Sequence, residues 1–226
     1  MRSGRLIGSL HAFFCLLQHK WPLDRVEQQQ KLFNHGNDMP PFALTYRALK
    51  VLDTSQALFS QDGFHHVGVD LIIDASQIAK GTFYKYFHSK EHLVEMTLSL
   101  QRTALKKEVR SILYANKNLS GRERLKRIFF LHADLEGMYH LLFRAVFEIK
   151  ARYPKAYEMV VEYRNWLIRE IYMLLARTDI NAAKADAQMF LFVVDGAMVQ
   201  LLSGNKVDKG RLLEGWLVGV RREKGC

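Results

Sequence analysis

Within the segment Lys80 to Lys90 the chain sets three lysines, Lys80, Lys85 and Lys90, among the hydroxyl side chains of Thr82, Tyr84 and Tyr86. Ammonium groups neutralise phosphates, and hydroxyls donate to phosphate oxygens or to base edges, so the pattern suits a polyanionic partner. Gly81 would let that partner's backbone approach closely, while Phe83 and Phe87, four residues apart, would hold the segment on its support. Thirty-three Lys and Arg against twenty-three Asp and Glu, a formal charge of +10, favour the same class of partner. Many basic proteins bind no nucleic acid, so charge alone assigns nothing.

Other chemistries find less support. His132, Glu136 and His140 fall at i, i+4 and i+8 with Asp134 nearby, and they would share a helix face only if one helix ran through Gly137. A solvated stripe or pocket polar groups is the commoner meaning of that spacing, so neither a metal nor a cofactor is assigned. No HExxH pair, phosphate-cradling glycine loop, dinucleotide fingerprint or nucleophile elbow occurs, which argues against an enzyme. The two cysteines, Cys15 and Cys226, build neither a disulfide framework nor a zinc site, and a reducing cytoplasm suits them. No apolar run approaches the roughly 20 residues that span a bilayer, so no membrane role is expected. Arg2 and Arg5 before Leu6 to Leu17 look like a signal sequence, but His11 interrupts the run and no small-residue cleavage site follows. Residues 1–38 are expected to be an appendage or an over-extended start upstream of Met39.

The elements that must position Lys80 to Lys90 are helices. Turn formers crowd residues 34–41, and beyond them Pro154 is the one proline; no alternating strand pattern stands out, so the fold is expected to be all-α. The spacing predicts helices over Thr45–Gln61, ended by Gly63, then Val69–Ala75 and Ala79–Phe87. Ser89 caps the next helix, with Glu91 in its first turn. Further helices are expected over Arg122–Leu135, Tyr139–Arg152, Lys155–Ala176, Ala182–Ser203 and Lys209–Arg222. Three short helices with a tight turn between the last two have the geometry that seats a recognition helix in the major groove of double-stranded DNA.

The stretch Val69 to Lys90, with Gly81-Thr82-Phe83-Tyr84, Phe87 and Ser89-Lys90, resembles the DNA-binding module of the TetR family of one-component regulators. The preceding helix, ending in Leu58-Phe59 and Gly63-Phe64, fits that family's first helix. The resemblance implies that Lys80, Gly81, Thr82, Tyr84, Lys85, Tyr86 and Lys90 sit where family members touch DNA. It also implies an extension over residues 1–42, a three-helix helix-turn-helix domain over 43–103 and a helical ligand-binding and dimerisation domain over 104–226. Two departures stand out: Gln77 occupies a turn position that is usually glycine, and Ile73 one that is usually alanine.

Family logic places a pocket in the larger domain and a four-helix bundle with a partner near the C-terminus. Phe129, Phe130, Phe143, Phe147, Tyr163 and Trp166 are the candidate pocket residues, for a small-molecule effector that the sequence does not name. Two apolar stripes, Phe190, Val194, Ala197 and Leu201, then Trp216 and Val220, are the candidate homodimer interface, although such stripes can also cover a monomer's own core. The expectation is a cytoplasmic, ligand-responsive repressor that binds a palindromic operator as a dimer. A ligand-independent nucleoid or partner-binding protein stays open as the alternative.

Overall fold

The computed structural model describes residues 45–115, 118–178 and 182–222; over these the chain is all-α, with nine α-helices and no strand among the described residues. The chain divides into two compact units, residues 1–49 and 50–226. Of the first unit only residues 45–49 are described, where the Ala48 amide donates to Thr45 Oγ1 at 3.4 Å and caps the opening turn. The expectations for residues 1–42 lie outside the described residues.

Helix α1 is Tyr46–His66, α2 Val69–Ser76, α3 Lys80–Phe87 and α4 Lys90–Arg110, continued by a π-turn over Ser111–Ala115. Then come α5 (Gly121–His132), α6 (His140–Glu148), α7 (Pro154–Thr178), α8 (Lys184–Leu202) and α9 (Lys209–Arg222). Residue 103, the sequence-derived domain boundary, lies inside α4.

Helix α1 breaks at Gly63, whose φ of 84° and ψ of 164° only glycine adopts readily. A side chain there would also meet Glu148 Oε2 at 2.8 Å and Arg144 Nη2 at 2.9 Å. The break folds Phe64 back on Phe59, rings stacked with centroids 5.1 Å apart. Helix α2 ends in a Schellman-type cap in which the Gln77 amide donates to Asp74 O at 3.2 Å and the Ile78 amide to Ile73 O at 3.3 Å. Gln77 itself is left-handed, with φ 54° and ψ 44°, the conformation for which glycine would be the easy choice. Ile73 fits in the core at 8% exposure.

Helix α5 stops at His132, short of the expected Leu135, because the Asp134 side chain turns the chain by accepting from the Glu136 amide at 3.2 Å. His132, Glu136 and His140 therefore share no helix face. Both His132 nitrogens are engaged, Nδ1 with Ile128 O and Nε2 with the Tyr163 hydroxyl, each at 2.7 Å.

The longest helix, α7, packs against α4, α5, α6 and α8. Its Val160, Tyr163, Leu167 and Ile171 line the core with Leu105 of α4, Phe129 of α5, Leu142 of α6 and Val194 of α8. A polar link crosses that core: Arg164 donates to both oxygens of Asp195 at 2.9 and 2.5 Å and to the Tyr139 hydroxyl at 2.5 Å. Contrary to the sequence reading, one helix among those described, α8, is long and apolar enough to cross a membrane. Asp195 at its centre is paired with Arg164, and Phe190, Leu191, Val194, Ala197 and Met198 are buried in the bundle, so those residues already have protein neighbours.

Two outcomes are expected. Gln77→Gly should raise stability by about 0.5–1 kcal/mol by relieving the left-handed residue, net of the entropy glycine adds to the unfolded chain. Chemical denaturation checks it, and a lower midpoint contradicts it. Burial lowers His132 from 6.5 to about 4, and burial also lowers the half-buried His140. The unfolded chain therefore takes up protons below pH 6.5 that the folded chain refuses until near pH 4. Stability falls across that window as the pH drops, by about 2 kcal/mol from His132 between pH 7 and 5. The melting midpoint should fall from pH 7 to 5 and fall less in His132→Phe; equal slopes contradict the assignment.

Candidate nucleic-acid interface

Eight residues make a helix too short to persist alone in water, so α3 depends on what it packs against. Phe83 and Phe87, both fully buried with rings 5.5 Å apart, fix its inner face. Three residues, Gln77 to Ala79, join it to α2. The same spacing leaves Lys80, Gly81, Tyr84 and Lys85 exposed and Thr82 and Tyr86 half-buried. A side chain at Gly81 would meet nothing within 4 Å, so the surface there is open to a close external approach. Tyr84 is 42% exposed and sets its ring edge-on to Phe83 at 5.3 Å. Lys80 pairs with Asp70 of α2 at 3.2 Å, and that bond raises its pKa. Lys85 is exposed in the last turn of α3, where the helix dipole favours a cation.

Lys90 is placed differently from its companions. Its ammonium donates to the Phe64 carbonyl at 2.6 Å, below the Tyr153 ring, and burial, with Arg152 nearby, lowers its pKa. It ties the start of α4 to the segment after Gly63, and a phosphate would have to compete with that carbonyl. The Ser89 cap beside it forms as expected, with the His92 amide donating to Ser89 Oγ at 3.1 Å.

Two features went unread in the sequence. Between α3 and α4, His88 has φ 56° and ψ −43°, and the Ser89 amide donates to Phe87 O at 2.5 Å, a γ-turn of the strained, positive-φ kind. It sets the angle at which α3 leaves α4. The second is a clasp on the broken end of α1. Arg144 Nη1 donates to Ser60 O at 2.8 Å and Gln61 O at 3.1 Å, while Glu148, ion-paired with Arg144, accepts from the Phe64 amide at 2.9 Å. These α6 side chains satisfy backbone groups that the break at Gly63 would leave orphaned. The i, i+4 spacing of Arg144 and Glu148 was the available signal.

Of the expected pocket residues, Phe129, Phe143 and Tyr163 are fully buried and Trp166 nearly so. Phe130 and Phe147 are exposed, Phe147 at 69%. The residues of the expected dimer stripe differ in burial. Phe190, Val194 and Ala197 are buried within one chain, Phe190 against Trp216 with ring centroids 5.2 Å apart, and Leu201 is half-buried. The Val220 side chain lies outside the described residues. Helix α8 is apolar on more than one side, and the side chosen from the sequence faces the monomer's own core. Its outer side shows Met189, Phe192, Val199 and Leu202, and α9 shows Leu212 and Val218.

These features define an all-α protein with a helix-turn-helix near its start and a helical bundle after it. Residues 51–97 match the family described as bacterial regulatory proteins, tetR family, so that segment is similar to the family's N-terminal module. The chain is 33% identical over 92 residues to the HTH-type transcriptional repressor KstR of Rhodococcus jostii (strain RHA1), covering 41% of this chain and 40% of that protein. It is 26% identical over 108 residues to the biofilm operon icaADBC HTH-type negative transcriptional regulator IcaR of Staphylococcus aureus (strain Newman), covering 48% and 50%. The matches thus span half or less of those relatives' lengths. The fold is that of a TetR-family transcriptional regulator from Streptomyces coelicolor, with a TM-score of 0.66 at 20% identity over 78% of this chain and 87% of that one.

If Lys90 is a tether, Lys90→Ala should lower stability by about 1–3 kcal/mol, the worth of a charge-assisted bond whose acceptor is then stranded. Lys85→Ala should stay within about 0.5 kcal/mol of the parent. Thermal denaturation of both distinguishes them, and equal midpoints contradict the tether.

Proposed function

We propose that this chain is a DNA-binding transcriptional regulator that works as a homodimer on a palindromic operator and is released by a small molecule. The observation that carries the reading is α3 itself, where Phe83 and Phe87 are sunk in the core, Lys80, Gly81, Tyr84 and Lys85 are exposed, and Thr82 and Tyr86 are half-buried. A helix so mounted presents donors to phosphates and to base edges, and the open surface at Gly81 permits contact. Lys85 would donate to guanine O6 and N7, while Lys80, shared with Asp70, would lie against the backbone.

A palindrome requires a two-fold partner. The outer faces of α8 and α9 suit a second copy: large apolar side chains stand out, and Gly196 and Gly215 have no neighbour within 4 Å of an added side chain, which permits close helix approach. Repression accords with what the names of the two curated relatives say of those proteins. An effector in the α4–α8 bundle would act by shifting the spacing of the two α3 helices.

Lys85→Ala should cost roughly 1–3 kcal/mol on the operator and far less on unrelated DNA. Titrations against both duplexes at several salt concentrations measure it, and equal losses would make Lys85 a phosphate contact only. Phe192→Glu, on the outer face of α8, should yield folded monomers with weakened operator binding. Light scattering that shows unchanged dimers would move the interface elsewhere.

A further inference from the structure

Helix α4 carries Arg102, Lys106 and Arg110 on one face, at i, i+4 and i+8, against α7, where Glu162, Trp166 and Glu170 repeat at the same spacing. The two acids are already taken. Glu162 receives Arg102 at 2.9 Å, and Glu170 accepts from the Tyr114 hydroxyl at 2.5 Å. The centre of the seam is therefore cationic: Lys106 Nζ lies 5.4 Å and Arg110 Cζ 5.6 Å from the Trp166 ring. Arg169, exposed on α7, adds a further charge to the field at Lys106. Lys106, Arg110 and Arg169 form no ion pair among the described residues. Lys106 is moreover half-buried, so it has given up part of its hydration among like charges, and the carboxylate that acts on it, Glu162, is ion-paired with Arg102.

We propose that this seam is a binding site for a small molecule bearing a multiply charged anionic group, a phosphate or polycarboxylate, held by Lys106, Arg110 and Arg169. A cluster of cations with a partly desolvated member is destabilised by mutual repulsion, and a bound anion cancels that repulsion while accepting charge-assisted bonds. Arg102 does not take part, because Glu162 holds it. Trp166 is nearly buried, so it serves as the floor on which two cations rest rather than as a stacking surface for the ligand. The site joins α4, which begins just after the α3 helix, to the central helix α7. An anion drawn into the seam thus bears on the helix that carries α3. That consequence rests on the regulator reading; the binding does not, and it is measured on the free protein.

The test titrates the full chain with inorganic pyrophosphate and with citrate, against sodium chloride of matched ionic strength, following melting temperature and tryptophan fluorescence. A saturable rise in melting temperature is expected, with a fluorescence change that Trp166→Phe removes. Lys106→Gln and the exposed Arg169→Gln should each weaken apparent affinity at least about tenfold, the loss of one charge-assisted contact. Lys155→Gln, an exposed charge removed from the first turn of α7, should leave binding unchanged. A response to pyrophosphate alone identifies a phosphate ligand and a response to citrate alone a carboxylate one. No response beyond sodium chloride overturns the site, and so does undiminished binding by both Lys106→Gln and Arg169→Gln. Loss of DNA binding with anion binding intact would count against the regulator and leave the site standing.

Discussion

The burial of Phe83 and Phe87 is the constraint on which the rest depends. An eight-residue helix with no side-chain cap at its N-terminus has little stability of its own, and two aromatic side chains taken wholly out of water supply it. Each buries surface worth roughly 1.5–3 kcal/mol, enough to hold the helix in one orientation. That orientation fixes which residues of α3 face outward. The left-handed Gln77 before the helix and the γ-turn at His88 after it are the conformational costs of holding it there.

The support for that helix is distributed. Lys90 ties α4 to the chain beyond Gly63, and Arg144 and Glu148 of α6 close on the same break. The end of α1, the start of α4 and the half-buried Arg144 and Glu148 of α6 thus meet at one polar junction built around a glycine, where an added side chain would displace both of those charged groups. A shift of α6 against α7 would reach α3 through charged side chains bonded to backbone groups rather than through a compliant apolar contact. This is a route by which a bundle could inform a helix-turn-helix, and it differs from the anion seam higher on α4.

Much of this was legible in the sequence where short-range chemistry decides structure. The Ser89 cap, the left-handed residue at Gln77 and the split between inward Phe83 and Phe87 and outward Lys85 follow from spacing and from the resemblance. What spacing left open was which side of an apolar helix meets which neighbour. Helix α8 carries Phe190, Leu191 and Phe192 in succession, so periodicity offers no single stripe; of the residues assigned to a partner, Phe190, Val194, Ala197 and Trp216 are buried within one chain and Leu201 is half-buried. Phe130 and Phe147 were placed in a pocket because they are aromatic; Phe130 is turned about 100° from Phe129, whereas Phe147 shares a helix face with Phe143 and is exposed near the end of α6, which helical phase alone does not tell. Lys90 resembled its neighbours in charge and differed only in the long-range proximity of Phe64, which no local pattern encodes. The extension of α5 past His132 failed on one side chain, Asp134, that prefers to bond its own backbone.

The central claim is that α3 reads DNA in a two-fold arrangement, and selection of binding sites from a random duplex pool by the purified chain tests it most directly. The account expects an inverted repeat whose half-sites lie about one helical turn apart, roughly 10 base pairs centre to centre, with enrichment lost when Lys85 is alanine. Enrichment of an unrepeated site, or none above the starting pool, would contradict it.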